Sequence, residues 1–148
     1  MLLNESAKRL FGELNTDDVS PIDGYDIEKK TDPYGREYYS VAKGCFRIKE
    51  NSDLSWDEWD GNETYISGNN PKLLYANAIE IMKSWKAQMQ EMFPDEHFVI
   101  FASYDDGSLM APECDPVGSF TLRFWKIREG QGPDENTEYS QPVIKIIV

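Results

Sequence analysis

The residues best suited to chemistry lie close together between Trp56 and Glu63. Two tryptophans stand three positions apart there, among four acidic side chains: Trp56, Asp57, Glu58, Trp59, Asp60 and Glu63. Aromatic faces stack on sugar rings and paired carboxylates hydrolyse glycosidic bonds, so this segment is a candidate sugar site. The same residues can form a protein-binding surface. Alternatively, one tryptophan fills the core and the acids are solvated loop charges, and the sequence leaves all three interpretations open.

The acidic residues of the chain are clumped. No Lys or Arg occurs between Lys49 and Lys72, and none occurs between Lys86 and Arg123. The first interval contains the segment just described, and the second contains a further acidic group: Asp105, Asp106, Glu113 and Asp115. In a chain with a net charge of -12, such blocks make a negative field that attracts a basic partner and repels nucleic acid. We therefore predict that both segments form or border a surface that binds a basic protein.

No catalytic or metal-binding motif accompanies these acids. His97 is the only histidine, and no neighbour in sequence completes a Ser-His-Asp, Cys-His or zinc site. We predict that it is a junction residue hydrogen-bonded to backbone. The acidic segment also fails the calcium-loop pattern, because with Gly61 as the turn glycine the two end positions fall on Trp56 and Ser67. We expect no metal, no cofactor and no catalytic residue.

The clearest element is a long helix from Pro71 to Phe93. Asn70 suits the N-cap, Pro71 suits the first helical position, and Pro94 ends the helix. Apolar residues recur along it with helical period: Leu74, Ala78, Ile81, Met82, Trp85, Met89 and Met92. This stripe predicts a core face that packs across the strands.

Shorter patterns surround the long helix. Apolar spacing predicts a short N-terminal helix over Asn4 to Leu14, and turn residues predict a hairpin of two strands, Tyr25–Lys30 and Glu37–Glu50. A loop with a short strand near Tyr65 is predicted over residues 54–70. Three further strands are predicted from apolar and alternating runs: His97–Tyr104, Ser119–Arg128 and Val143–Val148. Cations on the second of these runs are expected to pair with neighbours or to edge the sheet rather than to bind nucleic acid: Arg123, Lys126 and Arg128.

These elements predict a single α+β domain over residues 1–148, with a mainly antiparallel sheet, one long helix packed across it and a short N-terminal helix. A hydrophobic content of 40% and an aromatic content of 13% favour a folded chain over a disordered acidic one. The first residues lack a basic region followed by an apolar one, so we predict no signal peptide and a cytoplasmic location. Apolar runs are too short for a membrane span, so no membrane partner is expected.

Three stretches together resemble immunity proteins of bacterial polymorphic-toxin systems, including contact-dependent inhibition. They are the helix from Leu74 onward, the strand His97–Tyr104 and the run Thr121–Trp125. The resemblance implies a small acidic α+β domain that blocks a toxin in the cytosol. It carries no functional residue over to a position in this chain.

The favoured hypothesis is a non-catalytic acidic protein that neutralises a basic, nuclease-type toxin domain by occluding its substrate-binding surface. Nucleases meet phosphates with Lys and Arg, and carboxylates with aromatics can occupy that surface. Two alternatives stay open. One is a carboxylate-dependent sugar hydrolase or a sugar-binding module at Trp56–Glu63. The other is a structural or adaptor domain.

Overall fold

The computed structural model describes residues 1–109, 113 and 117–148. The helices of this part are α1 (Glu5–Phe11), α2 (Leu54–Gly61) and α3 (Pro71–Met92). Its strands are β1 (Leu2–Leu3), β2 (Ile27–Thr31), β3 (Glu37–Val41), β4 (Thr64–Gly68), β5 (Phe98–Asp105), β6 (Gly118–Lys126) and β7 (Val143–Ile147). A five-stranded sheet has the order β1-β7-β5-β6-β4, and β2 and β3 form a separate hairpin. Every pairing is antiparallel, which confirms the predicted α+β class.

The long helix α3 packs across the five-stranded sheet as predicted. The Asn70 side chain accepts hydrogen bonds from the backbone N–H groups of Lys72 and Leu73, and Pro71 opens the helix. The predicted stripe lies in one core with alternate residues of β5 and β6, except for Met92 at the end of the helix, which is 46% exposed. Trp85 is fully buried against Phe124 at a ring-centroid distance of 5.1 Å. None of the described helices is long and apolar enough to span a membrane.

Side chains alternate between the two faces of the sheet. One face packs on α1 and α3. The other, which we call the outer face, carries a smaller buried cluster of Val99, Phe101, Trp125 and Val143. Only two partly buried aromatic side chains among the described residues pack on that cluster, Trp59 and Tyr139. The outer face is therefore covered at this cluster by α2, through Trp59, and by the segment between β6 and β7, through Tyr139.

The predicted loop after residue 53 is wrong, because residues 54–61 form α2. Asp53 caps this helix by accepting a hydrogen bond from the backbone N–H of Trp56 at 2.9 Å. Three acids and a glycine give α2 a poor intrinsic propensity, so its stability comes from tertiary contacts. The predicted short strand near Tyr65 is confirmed as β4.

The N-terminal helix and the second hairpin strand are shorter than predicted. Asn4 caps α1 and also donates from its amide to the carbonyls of Tyr139 and Gln141, which anchors the N-terminus beside β7. The strand expected to run to Glu50 ends at Val41, because a turn follows in which Gly44 N–H donates to the Val41 carbonyl at 3.0 Å. The two-residue strand β1 carries too few residues for a recognisable pattern.

Candidate functional site

The exposed side of α2 brings most of the first acidic segment together. Trp56 is 44% exposed, and its ring stands edge-on to Trp59 with centroids 5.3 Å apart. Asp60 and Glu63 are exposed, and Asp57 is partly exposed and accepts a hydrogen bond from the Ser52 hydroxyl. We call this set the α2 acidic surface: Trp56, Asp57, Trp59, Asp60 and Glu63. It combines a half-exposed aromatic ring with carboxylates.

Trp59 holds this surface to the outer face of the sheet. The guanidinium of Arg123 lies 3.8 Å from the centroid of the Trp59 ring. The same group donates to the Trp59 carbonyl at 2.8 Å and to Glu63 at 2.9 Å. A cation stacked on an indole stabilises the contact by about 0.5–2 kcal/mol. Arg123 is therefore a support for Trp59, and its charge is already shared with Glu63.

Glu58 corrects the sequence prediction, because it does not belong to this surface. It is 0% exposed and forms a paired ionic contact with Arg128, at 2.6 Å to Oε1 and 3.0 Å to Oε2. The backbone N–H groups of Lys126 and Tyr39 donate to the same carboxylate at 2.9 and 2.7 Å. Glu58 lies two positions from both Trp56 and Asp60. Because each helical residue advances by about 100°, its side chain is rotated by about 200° from theirs and faces inward.

The buried position of Glu58 also bears on the sugar-hydrolase alternative. Both carboxylate oxygens accept hydrogen bonds, and neither faces solvent. A general acid or base must lie within hydrogen-bond reach of its substrate. Glu58 is therefore excluded as one of the two carboxylates that glycoside hydrolysis would require.

Three polar side chains fix α2 between the edges of β3 and β6: Ser55, Glu58 and Asn62. The Asn62 amide donates to the carbonyls of Tyr39 at 2.9 Å and Phe124 at 3.3 Å, and its oxygen accepts from Val41 N–H at 2.9 Å. The Ser55 hydroxyl donates to the Lys126 carbonyl at 2.7 Å. These side chains satisfy backbone groups that a neighbouring strand would otherwise pair. They fix the position of the α2 acidic surface.

A second ion pair lies beside this junction. Lys126 Nζ contacts Glu96 at 2.6 Å, and the hydrogen bond from Lys126 holds the pKa of Glu96 below its usual value, against the opposing effect of burial. Burial, followed by the charges of Glu96, Glu37 and Glu58, raises the pKa of Tyr39 to about 12. The Tyr39 hydroxyl therefore stays protonated and adds no negative charge.

The three strand cations pair with carboxylates, which is one of the two outcomes expected for them. Arg123 pairs with Glu63, Lys126 with Glu96 and Arg128 with Glu58. His97 is exposed, and its Nδ1 lies 3.3 Å from the Val148 carbonyl, as expected of a junction residue. Among the described residues, no group of three or more His, Cys, Asp and Glu side chains is arranged to hold a metal ion.

The second predicted acidic segment lies at the other end of β6. Asp105 and Asp106 are exposed, and they accept hydrogen bonds from Gly107 N–H and Ser108 N–H at 2.7 and 2.8 Å. The hydrogen bond from the Ser108 side chain, more than that from its backbone, lowers the pKa of Asp106. Glu113 is exposed, and Asp115 lies outside the described residues.

The register of the sheet separates the two acidic segments. Asp105 pairs with Ser119, whereas α2 contacts Lys126, seven residues further along β6. At about 3.3 Å per residue, this separation is roughly 23 Å. Asp105 and Asp106 are therefore separated from α2, whereas Glu63 lies closer to them because it contacts Arg123, four residues from Ser119.

A third acidic segment, which sequence reasoning missed, lies beside α2 instead. The interval 129–144, most of which is the loop between β6 and β7, contains no Lys or Arg and four exposed acids: Glu129, Asp134, Glu135 and Glu138. The loop is attached to the start of α2, since Asp53 accepts from Gly132 N–H at 2.9 Å and Gln131 accepts from Leu54 N–H at 3.1 Å. This interval also lacks Lys and Arg, so the sequence pattern that indicates the other two acidic segments indicates this one as well.

The geometry thus gathers a negative, partly aromatic surface at one end of the molecule. No protein-family model matches the chain, and neither the curated proteins nor the solved structures include a match.

Proposed function

We propose that this protein is a non-catalytic binding protein of the immunity type. It acts in the cytoplasm and neutralises a basic toxin domain, of the nuclease kind, by covering the surface that binds the toxin's substrate. The α2 acidic surface makes the first contact, and the acidic loop between β6 and β7 borders it.

The observation that carries this proposal is the half-exposed Trp56 among carboxylates that lack a cation of their own. Asp57 and Asp60 take part in none of the ion pairs among the described residues. The nearby cations Arg123 and Arg128 are already engaged by Glu63 and Glu58. The negative charge of this surface is therefore available to an external cation.

Charge and the aromatic ring have different roles in such a complex. Carboxylates at the rim of an interface speed the encounter with a basic surface. A tryptophan that becomes buried on binding is a typical anchor, and its removal often costs at least about 2 kcal/mol of binding free energy. Lys and Arg that hold nucleic-acid phosphates are suitable partners for the carboxylates, so binding here excludes the substrate.

The test begins with capture of partners from the native host by the tagged wild-type protein, followed by mass spectrometry and reconstitution of each pair. The expected result is a basic protein whose activity is lost on binding. Its affinity should fall at least about thirtyfold for Trp56→Ala and more modestly for Asp60→Lys. Leu10→Ala, on α1 at the other face of the sheet, and Asp17→Lys are controls at exposed positions off the surface, and both should bind normally.

Two results would contradict the proposal. One is a partner that keeps its full activity in the complex. The other is an affinity that is unchanged by both Trp56→Ala and Asp60→Lys.

A further inference from the structure

A groove of about 750 Å³ runs between the outer face of the sheet and the acidic loop. The walls on the sheet side come from Val99, Trp125 and Ile147, and Tyr139 and Pro133 line the loop side. A second hollow of about 580 Å³ shares Leu2, Tyr139 and Lys145 with it. The two hollows adjoin along the β1 and β7 side of the molecule.

The groove exposes aliphatic side chains. Leu2 is 62% exposed, Ile147 is 54% exposed and Ile127 is 39% exposed. All three line the groove. Clustered exposed apolar residues with a polar rim are typical of a binding surface, whereas single ones are unremarkable.

The rim of the groove is negative. Glu129, Asp134 and Glu135 line it, and they take part in none of the ion pairs among the described residues. Two cations also line the groove, Arg128 and Lys145. Arg128 is already paired with the buried Glu58, and Lys145 Nζ lies 5.6 Å from the Tyr139 ring centroid and 5.9 Å from that of Phe101. A ligand complementary to this groove carries apolar side chains together with positive charge.

The edge of the sheet adds a preference for extended backbone. Phe98 and Val148 exchange two hydrogen bonds, so in the alternating ladder the N–H and C=O of Ile147 point away from β5. The short strand β1 reaches only to Lys145 on that side. A strand laid past the end of β1 can therefore pair with Ile147.

We propose that this groove binds an extended segment of a basic protein in which apolar side chains alternate with Lys or Arg. The apolar side chains contact Leu2, Ile127 and Ile147, and the cations meet Glu129, Asp134 and Glu135. The choice of a basic protein as the source of the segment rests on the proposed function. The groove is a second contact, separate from the α2 acidic surface.

The test is a titration of the ¹⁵N-labelled full chain with a synthetic peptide that alternates Lys and Val. Peptides of equal length that alternate Glu with Val, or Lys with Ser, are the controls. Amide shifts are expected at Gly130, Gly132 and Ile147 with the Lys–Val peptide alone, since only this peptide supplies both positive charge and apolar side chains.

Variants of the protein sharpen the test. Ile147→Ser should weaken binding of the Lys–Val peptide about tenfold, because it removes an aliphatic contact without changing the charge of the groove. Tyr65→Ser, at an exposed position outside the groove, should have no effect. The triple variant E129Q/D134N/E135Q should reduce both affinity and its salt dependence, whereas D17N/D18N/D23N, with the same change in net charge, should not.

Three outcomes would overturn the groove proposal: no shifts with any peptide, equal binding of the Glu–Val peptide, or shifts confined to the α2 acidic surface. The last would leave the proposed function standing. Conversely, specific binding at the groove would support this inference even if no captured basic protein were inhibited, so the two failures are distinguishable.

Discussion

Glu58 is predicted from the sequence to be a binding residue, but in the structure it is a buried member of an ion pair. Its neighbours Trp56 and Asp60 face solvent as the sequence predicts, but Glu58 faces inward. Helical spacing decides this orientation. The helix itself is hard to predict because its buried face is mostly polar and shows no apolar periodicity: Leu54, Ser55, Glu58 and Gly61. The Asp53 N-cap was the one local signal available.

We expect Glu58→Gln to destabilise the protein by about 3–5 kcal/mol. The substitution leaves the largely buried Arg128 without its counter-charge, and removing one member of a buried ion pair costs about that much. Urea unfolding followed by circular dichroism measures the change. Asp60→Asn, on the exposed side of the same helix, is the control and should stay within about 0.5 kcal/mol. Equal midpoints for the two variants would contradict a structural role for Glu58.

Glu96 gives a prediction about pH. Its pKa is lower in the folded protein because Lys126 donates a hydrogen bond to it. A carboxylate with a depressed folded pKa adds stability above its unfolded pKa, and this contribution is lost as pH falls through the folded value. Lys126→Gln should therefore return the Glu96 pKa toward its ordinary value. The free energy of unfolding of this variant should then fall less steeply than that of the wild type as the pH is lowered into mild acid. Side-chain carboxyl NMR across an acid titration reports the pKa, and an unaltered Glu96 titration would argue against the pair.

Among the elements, α3 follows most directly from its sequence. Its cap, its first proline and its apolar stripe all point to the same helix and the same buried face. Such agreement between local signals and the global packing is what makes an element predictable.

Trp85→Ala should destabilise the fold by about 3–5 kcal/mol, since the indole is fully buried between α3 and the sheet. Leu73→Ala, at an exposed position on the same helix, is the matched control and should have little effect. Thermal melts of both variants provide the measurement. A melting temperature unchanged by Trp85→Ala would contradict the assigned packing.

The helix α2 was not predictable, because long-range contacts hold it. It occupies the space between the β3 and β6 edges, where its polar side chains satisfy the backbone groups of both strands. The sequence indicates which side chains are polar, but no local pattern indicates that they will pair with strand edges.

Asn62→Ala should loosen the hairpin of β2 and β3 from the sheet. The Val41 N–H donates to the Asn62 side chain, so its hydrogen exchange should accelerate in the variant. In the alternating ladder the Ser40 N–H points instead toward β2, and it should stay protected while the hairpin itself remains paired. Site-resolved hydrogen exchange distinguishes the two amides. If both exchange at wild-type rates, Asn62 does not hold the hairpin in place.

For the whole molecule, the fold class was predictable and the arrangement of charge was only partly so. Intervals without Lys or Arg correctly located exposed acids at Asp60, Asp105 and Asp106. Which intervals become neighbours depends on strand register, and register places Asp105 opposite Ser119, far from α2. The loop between β6 and β7 takes the neighbouring place because Gly132 and Gln131 are hydrogen-bonded to the start of α2.

This arrangement predicts that the position of the acids, more than the net charge of -12, governs association with a basic partner. The double variants D57N/D60N and D17N/D18N remove the same charge, one on the α2 acidic surface and one in a distant exposed loop. With the partner reconstituted above, D57N/D60N should slow association several-fold at low salt, whereas D17N/D18N should not.

The difference between the two double variants should shrink as salt rises, because the screening length falls from about 10 Å at 0.1 M to about 3 Å at 1 M. The dissociation rate should change little in either double variant, since rim charges act mainly on the encounter. It should increase for Trp56→Ala, because this variant lacks the aromatic anchor. Stopped-flow association and dissociation rates across a salt series test each part. An equal slowing by both double variants would show that net charge alone drives the encounter, and the α2 acidic surface would then lose its electrostatic role.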